Sequence, residues 1–200
     1  KISYKTPSSD TFYNYIEPFT IKDSGILIVK VSESEKISSK YEIAFTKQKP
    51  LQSVNITKQE NGLLYKYYEG EWSEIPEFRD EDLVKNGFVY DIIPKVSERK
   101  ENYGLVFTGN ILVPKKDIYT FYLRSNDGSR LKIGGETISE INGKAGLDPI
   151  FAAPSRIALE KGFHSFEIEY FQNITRSSLF VEIESSDMPL QRIPASMLFK

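Results

Sequence analysis

TFYLRSNDGSRLKIGG, residues 120–135, consists of two alternating apolar runs parted by Asn126-Asp127-Gly128-Ser129. Before the break, Phe121 and Leu123 alternate with Thr120, Tyr122 and Arg124; after it, Leu131 and Ile133 alternate with Arg130 and Lys132. Period-two alternation marks β-strands with one buried face. The break between them predicts a hairpin turn, because Asn, Asp and Gly tolerate positive φ and Ser or Asp can cap its own backbone. An amide beside a carboxylate could also hold a metal ion or a sugar. The sequence leaves both readings open.

The same period runs outward from this stretch. In HSFEIEY, His164, Phe166, Ile168 and Tyr170 oppose Ser165, Glu167 and Glu169. In SLFVEIE, Leu179, Val181 and Ile183 oppose Phe180, Glu182 and Glu184. Each run is short, rich in β-branched and aromatic residues, and bounded by turn formers. The expected fold is all-β, an antiparallel β-sandwich or barrel. EWSEIPEFRDEDLVKNG alone has mixed periodicity, with a helical turn expected around DEDLVKNG. EPFTIKD, GILIVKV and YEIAFTK read as three short strands of a small N-terminal β domain. KQKPLQSVNITKQENG is polar and carries a proline, as a linker does. The expected division is 1–50, a linker at 51–61, and 62–200.

Composition sets the bounds. Two hundred residues with 40% hydrophobic and 13% aromatic content can bury a core. The net charge of -2, from 26 basic and 28 acidic residues, gives no reason to expect nucleic acid or an anionic membrane as partner. No apolar run is long enough for a transmembrane helix. The absence of cysteine excludes disulfides, thiol nucleophiles and Cys-zinc sites, and the single His164 excludes sites needing two imidazoles. With no nucleophile motif beside it, His164 reads as a strand residue. Lys1 opens directly into ISYKT, so a mature fragment or an excised piece of a longer chain is expected. Asn55-Ile56-Thr57 and Asn173-Ile174-Thr175 match the glycosylation sequon, and two chance tripeptides are the simpler reading.

Several pieces of residues 62–200 carry a family likeness. They are GLLYKYYEG, then IPEFRDEDL, the block NYGLVFTGNILVPKKDIYTFYLRSNDGSRLKIGGETI, then ALEKGFHSFEIEYFQN and the closing IPASMLF. In this order they resemble the protective antigen fourteen-kilodalton domain, a β module of toxins, glycosidases and adhesins. Residues 1–50 resemble, more faintly, the immunoglobulin-like domain that follows the catalytic barrel of chitobiases and other hexosaminidases.

These resemblances imply a function and a site. In sugar-binding members, two adjacent acids after the YTFYLxS strand hold a calcium ion that accepts sugar hydroxyls, and the peptide between them is typically cis. Here the pair is Asn126 and Asp127, with Asn173 as the expected third ligand, so calcium is an expected cofactor at a site with few carboxylates. The implied carbohydrate contacts are Asn126, Asp127, Arg130, Asn142, Phe171 and Asn173. Trp72, Phe151 and Phe171 are candidate platforms for the apolar face of a sugar ring. Arg130 also suits a cross-strand ion pair. The implied role is a non-catalytic, carbohydrate-binding or accessory region of an exported glycoside hydrolase of hexosaminidase or β-glucosidase type. Its partners would be a glycan or oligosaccharide and the catalytic domain of the same polypeptide, in the periplasm, at the cell surface or secreted. A structural spacer that packs on a parent enzyme is the alternative.

Overall fold

The computed structural model describes residues 1–33, 36–57, 59–146, 148–174 and 176–200. The chain forms two compact units, Lys1–Lys49 and Pro50–Lys200. The first is one antiparallel sheet of β1 (Ile2–Lys5), β2 (Tyr13–Asn14), β3 (Gly25–Glu33) and β4 (Lys36–Phe45), in the order β2-β1-β3-β4. GILIVKV forms β3 and the first part of YEIAFTK lies in β4, as their patterns require. EPFTIKD forms no strand. Pro18 removes a main-chain donor, and Phe19 instead stacks its ring on Tyr4 with centroids 4.0 Å apart. The chain opening supplies β1 in its place. Leu27 is the one buried hydrophobic residue described in this unit.

The second unit is a two-sheet sandwich. Its strands are β5 (Leu63–Glu69), β6 (Leu83–Val89), β7 (Tyr103–Val113), β8 (Asp117–Ser125), β9 (Ser129–Ile133), β10 (Glu136–Ile141), β11 (Ile150–Phe151), β12 (Ser155–Leu159), β13 (Gly162–Gln172), β14 (Leu179–Ser185), β15 (Met188–Arg192) and β16 (Leu198–Phe199). One sheet runs β10-β9-β13-β7-β5-β6, with β16 also on β7; the other runs β11-β8-β14-β15, with β12 also on β8. All strand pairs are antiparallel. The alternating residues read from the sequence meet in one core. Phe166, Ile168, Tyr170, Leu131 and Ile133 come from one sheet, and Tyr119, Phe121, Leu123, Val181 and Ile183 from the other. Burial of so many large side chains is the main force holding the sheets together.

Two local expectations change. Residues 51–61, read as a linker, belong to the second unit and are bonded to its strands. Leu51 N donates to Ala158 O, and Val54 N donates to Phe163 O, each at 2.8 Å. Asn61 Nδ2 adds a bond to Leu198 O at 3.4 Å, and Leu51 packs on the core. The helical turn at DEDLVKNG is a single 3-10 turn, Asp80–Asp82, after which the chain enters β6.

The larger change concerns 125–129. This loop is not a hairpin. Ser125 ends β8 and pairs with Leu179 and Ile150, whereas Ser129 begins β9 and pairs with Ile141 and Tyr170. The loop therefore carries the chain from one sheet to the other across the end of the sandwich. That passage buries it: Ser125, Asn126, Asp127 and Ser129 are all shielded from solvent.

Candidate functional site

Local chemistry fits the loop to its passage. Ser125 Oγ donates to Asp127 O and meets Ser129 Oγ, both at 2.7 Å. Asp127 takes a left-handed φ of 56°, which aspartate tolerates. The peptide joining it to Asn126 is trans, since the described residues contain no cis bond. Gly128 is required sterically, because a Cβ there would lie 2.2 Å from Phe171 Cε1.

The side chains then fasten neighbouring loops. Asp127 Oδ1 accepts from Ala145 N at 2.9 Å, in the β10–β11 loop. Asp127 Oδ2 accepts from Asn173 N at 2.8 Å, after β13. Asn126 N donates to Ser178 O at 2.9 Å, and its Nδ2 donates to Gly146 O at 3.3 Å. Asn173 clamps the main chain of Trp72: its Oδ1 accepts from Trp72 N at 3.1 Å and its Nδ2 donates to Trp72 O. Asn142 Oδ1 accepts from Ile75 N at 2.9 Å. Three loops are thus tied to the crossing, and the ties are buried polar bonds of the kind that fix one conformation.

The sequence-predicted residues divide accordingly. Asn126, Asp127, Asn142 and Asn173 converge at this end of the sandwich, but as main-chain clamps. Phe171, expected as a ring platform, is fully buried beside Gly128 and Trp72, because β13 keeps both neighbouring faces covered there. Trp72 is half-buried, and Phe151 is 70% exposed. Arg130 is taken up by cross-strand pairing: its Nε donates to Glu140 Oε2 at 2.6 Å and its Nη1 to Glu169 Oε2 at 2.7 Å. Both acids are its direct register partners. His164 is buried in β13, with Nε2 donating to Glu160 O at 2.8 Å. The buried, clamped Asn173 makes a poor glycan acceptor, and Thr175 of that sequon lies outside the described residues.

The donor set does not fit calcium. That ion takes six to eight oxygens and favours several carboxylates. Here one carboxylate is present, buried, with each oxygen already accepting a main-chain N–H. The Asn173 carbonyl oxygen is likewise engaged. Among the described residues no three His, Cys, Asp or Glu side chains group to hold a metal.

What the loop does border is a pocket of about 630 Å³. Asn126 lies in its wall, with Ser177 and Ser178 from the β13–β14 loop. Arg124, Arg176, Arg192, Lys95, Asp148 and Phe180 complete its polar and aromatic lining. Sequence reasoning missed these residues, which are scattered from 95 to 192. One signal was legible: Phe180 and Arg124 fall on the strand faces turned away from the core. A second cleft of about 340 Å³ lies between Trp72, Phe78 and Tyr68, edged by Glu69, Glu71 and Glu77.

The antiparallel sandwich with a loop-lined pocket at one end defines the class, a two-sheet all-β module. The particular family is the PA14 domain: its match runs over residues 59–194, and the chain belongs to it. Among solved structures, an anti-sigma factor domain-containing protein is similar at 24% identity and a TM-score of 0.57, over 70% of this chain and 47% of that one. Another, from Clostridium clariflavum, is 16% identical with a TM-score of 0.52, over 86% and 60%. This chain thus corresponds to roughly half of each. The epithelial adhesin 9 A domain of Candida glabrata, solved with Galβ1-3GlcNAc, is 10% identical with a TM-score of 0.55, over 74% and 92%. Comparison with curated proteins finds no match. These findings correct the resemblances drawn from sequence. The likeness is to PA14 domains and adhesins, not to anthrax protective antigen preceded by a chitobiase-type domain. The single sheet of the first unit accords with that correction, since an immunoglobulin-type domain has two.

Proposed function

We propose that the second unit is a non-catalytic carbohydrate-binding module and that the pocket beside Asn126 receives the sugar. The observation that carries this reading is the pocket's position, where the β8–β9 loop meets the β13–β14 loop at one end of the PA14 sandwich. Its volume suits one or two sugar rings. Ser177 and Ser178 offer hydroxyl-matching groups, and the exposed Phe151 ring, 5.1 Å from the guanidinium carbon of the lining residue Arg124, is available for an apolar sugar face. Support also comes from the adhesin domain of the same fold that was solved with a disaccharide. A spacer role is disfavoured by the cleft itself. Asp148 is the one carboxylate in the lining, whereas glycoside hydrolysis ordinarily needs a facing pair.

Binding is independent of calcium in this reading, because the loop carboxylate serves the fold. An exported or surface location suits such a module, and among the described residues no helix is long and apolar enough to cross a membrane. Attachment to a glycoside hydrolase has no comparable support. Glycan-array screening followed by calorimetric titration, with and without EDTA, tests the reading. Saturable binding of an oligosaccharide that survives EDTA is expected. Absence of binding to every glycan in both conditions would overturn it.

A further inference from the structure

The pocket beside Asn126 is strongly basic in a chain that is acidic as a whole. Lys95, Arg124, Arg176 and Arg192 line it, against the single carboxylate of Asp148. None of the four cations makes an ion pair among the described residues, whereas Arg79, Arg99 and Arg130 all do. Arg124 and Arg192 both rest on one aromatic ring. Their guanidinium carbons lie 4.1 and 4.3 Å from the Phe180 centroid, and Arg124 is also 5.1 Å from that of Phe151.

Two like charges on one ring repel, and the ring offsets only part of that cost. Glu182 is the register partner of Arg192, yet Arg192 turns to Phe180 and forms no ion pair with it. Arg124 Nε is buried with no hydrogen-bond partner, an expensive state for a charged donor. Stacking on the ring holds both guanidinium planes in place, which preorganises their N–H groups for a planar or tetrahedral oxyanion. Ser177 and Ser178 add neutral donors beside them.

We propose that the ligand of this pocket is an acidic glycan, bound through a carboxylate or sulfate on the sugar by Arg124, Arg192 and Arg176. The proposal rests on the carbohydrate-binding reading above and narrows it to a substrate class. With four cations against one carboxylate, the lining selects for negative charge on the sugar.

Calorimetric titration of the 200-residue chain provides the test. Its probes are an oligogalacturonate, the same oligosaccharide methyl-esterified, a sulfated galactan oligosaccharide, its desulfated form, sodium sulfate and single-stranded DNA. At least one acidic oligosaccharide should bind about tenfold or more tightly than its neutralised form, as one charge-assisted bond allows. Which of the two does so separates carboxylate from sulfate. Affinity should fall steeply as salt rises to about 0.5 M, where screening is short-ranged.

The double variant Arg176→Gln, Arg192→Gln alters exposed side chains and should lose about tenfold in affinity with an unchanged melt. Arg124→Lys keeps the charge without the stacked plane and should also weaken binding. Equal affinity for neutral and acidic forms would overturn the inference while leaving the carbohydrate reading intact. Binding of sulfate ion or DNA as tightly as any sugar would reduce the pocket to an unspecific basic patch. No binding to any oligosaccharide would overturn the underlying reading as well.

Discussion

Asp127 illustrates how one side chain can look like a ligand and act as a fastener. Its two oxygens accept from Ala145 N and Asn173 N, and no water reaches either. In Asp127→Ala two buried amides lose their acceptor, at about 1–3 kcal/mol each. Urea unfolding at neutral pH should therefore show a loss of about 3 kcal/mol or more, unchanged by adding calcium. Asp127→Asn keeps one acceptor oxygen and should fall between. A loss that appears only when calcium is present would contradict the fastening role. The residue types were plain in the sequence, but their use was not. The family resemblance grouped Asn126, Asp127 and Asn173 as metal ligands; the fold brings the three together, with Asp127 accepting from Asn173 N. Whether an oxygen faces a metal or an amide depends on loops twenty to fifty residues away.

At the level of strands and turns, alternation was a reliable guide wherever one face meets the core. HSFEIEY, SLFVEIE and IYTFYLRS each bury the face read from sequence. The loop at 125–129 was misread as a hairpin because hairpins and sheet crossings share the same turn residues. The two differ only in which strand accepts the next hydrogen bond, and that is settled far along the chain. EPFTIKD failed for a local reason, Pro18, and residues 51–61 for a distant one, since the strands they bond to, through main chain at Leu51 and Val54 and through the Asn61 side chain, lie about a hundred residues on.

A second carboxylate, Asp117 at the start of β8, ties two turns at the other end of that strand. Burial alone would raise its pKa. Hydrogen bonds from Ser186 Oγ at 2.7 Å, Ile118 N at 2.9 Å and Ser186 N at 3.1 Å, with Lys115 nearby, outweigh this and bring it down to about 2. A depressed carboxylate contributes stability that is full above its unfolded value of about 4 and fades as pH falls through the folded value. Asp117→Asn should thus be less stable than the parent at pH 7, with the gap closing between about pH 4 and 2. Denaturation curves across that range provide the check, and a gap that does not change with pH would refute it.

Across the whole chain, the two units differ sharply in what they bury. The second has a core drawn from both sheets and its own flanking segment at 51–61. The first buries Leu27 and otherwise relies on one sheet and ring stacking of Tyr4 with Phe19. A unit this short with so little core is marginal by itself. Residues 50–200 produced alone should unfold in one cooperative transition and keep the oligosaccharide affinity of the full chain. Residues 1–49 alone should show no cooperative melt by circular dichroism. Loss of the transition in the longer fragment would mean that the units depend on one another.

The buried passage between the sheets also bears on the speed and heat of recognition. A wall held by amide bonds on several sides is already in its final shape before anything arrives. Under the proposed binding, little loop entropy would be surrendered when a ligand docks, so rigid capture with no slow ordering step is expected. The rate of encounter would then be set by the long-range field of the basic side chains around the opening, and the lifetime of the complex by the short bonds within it.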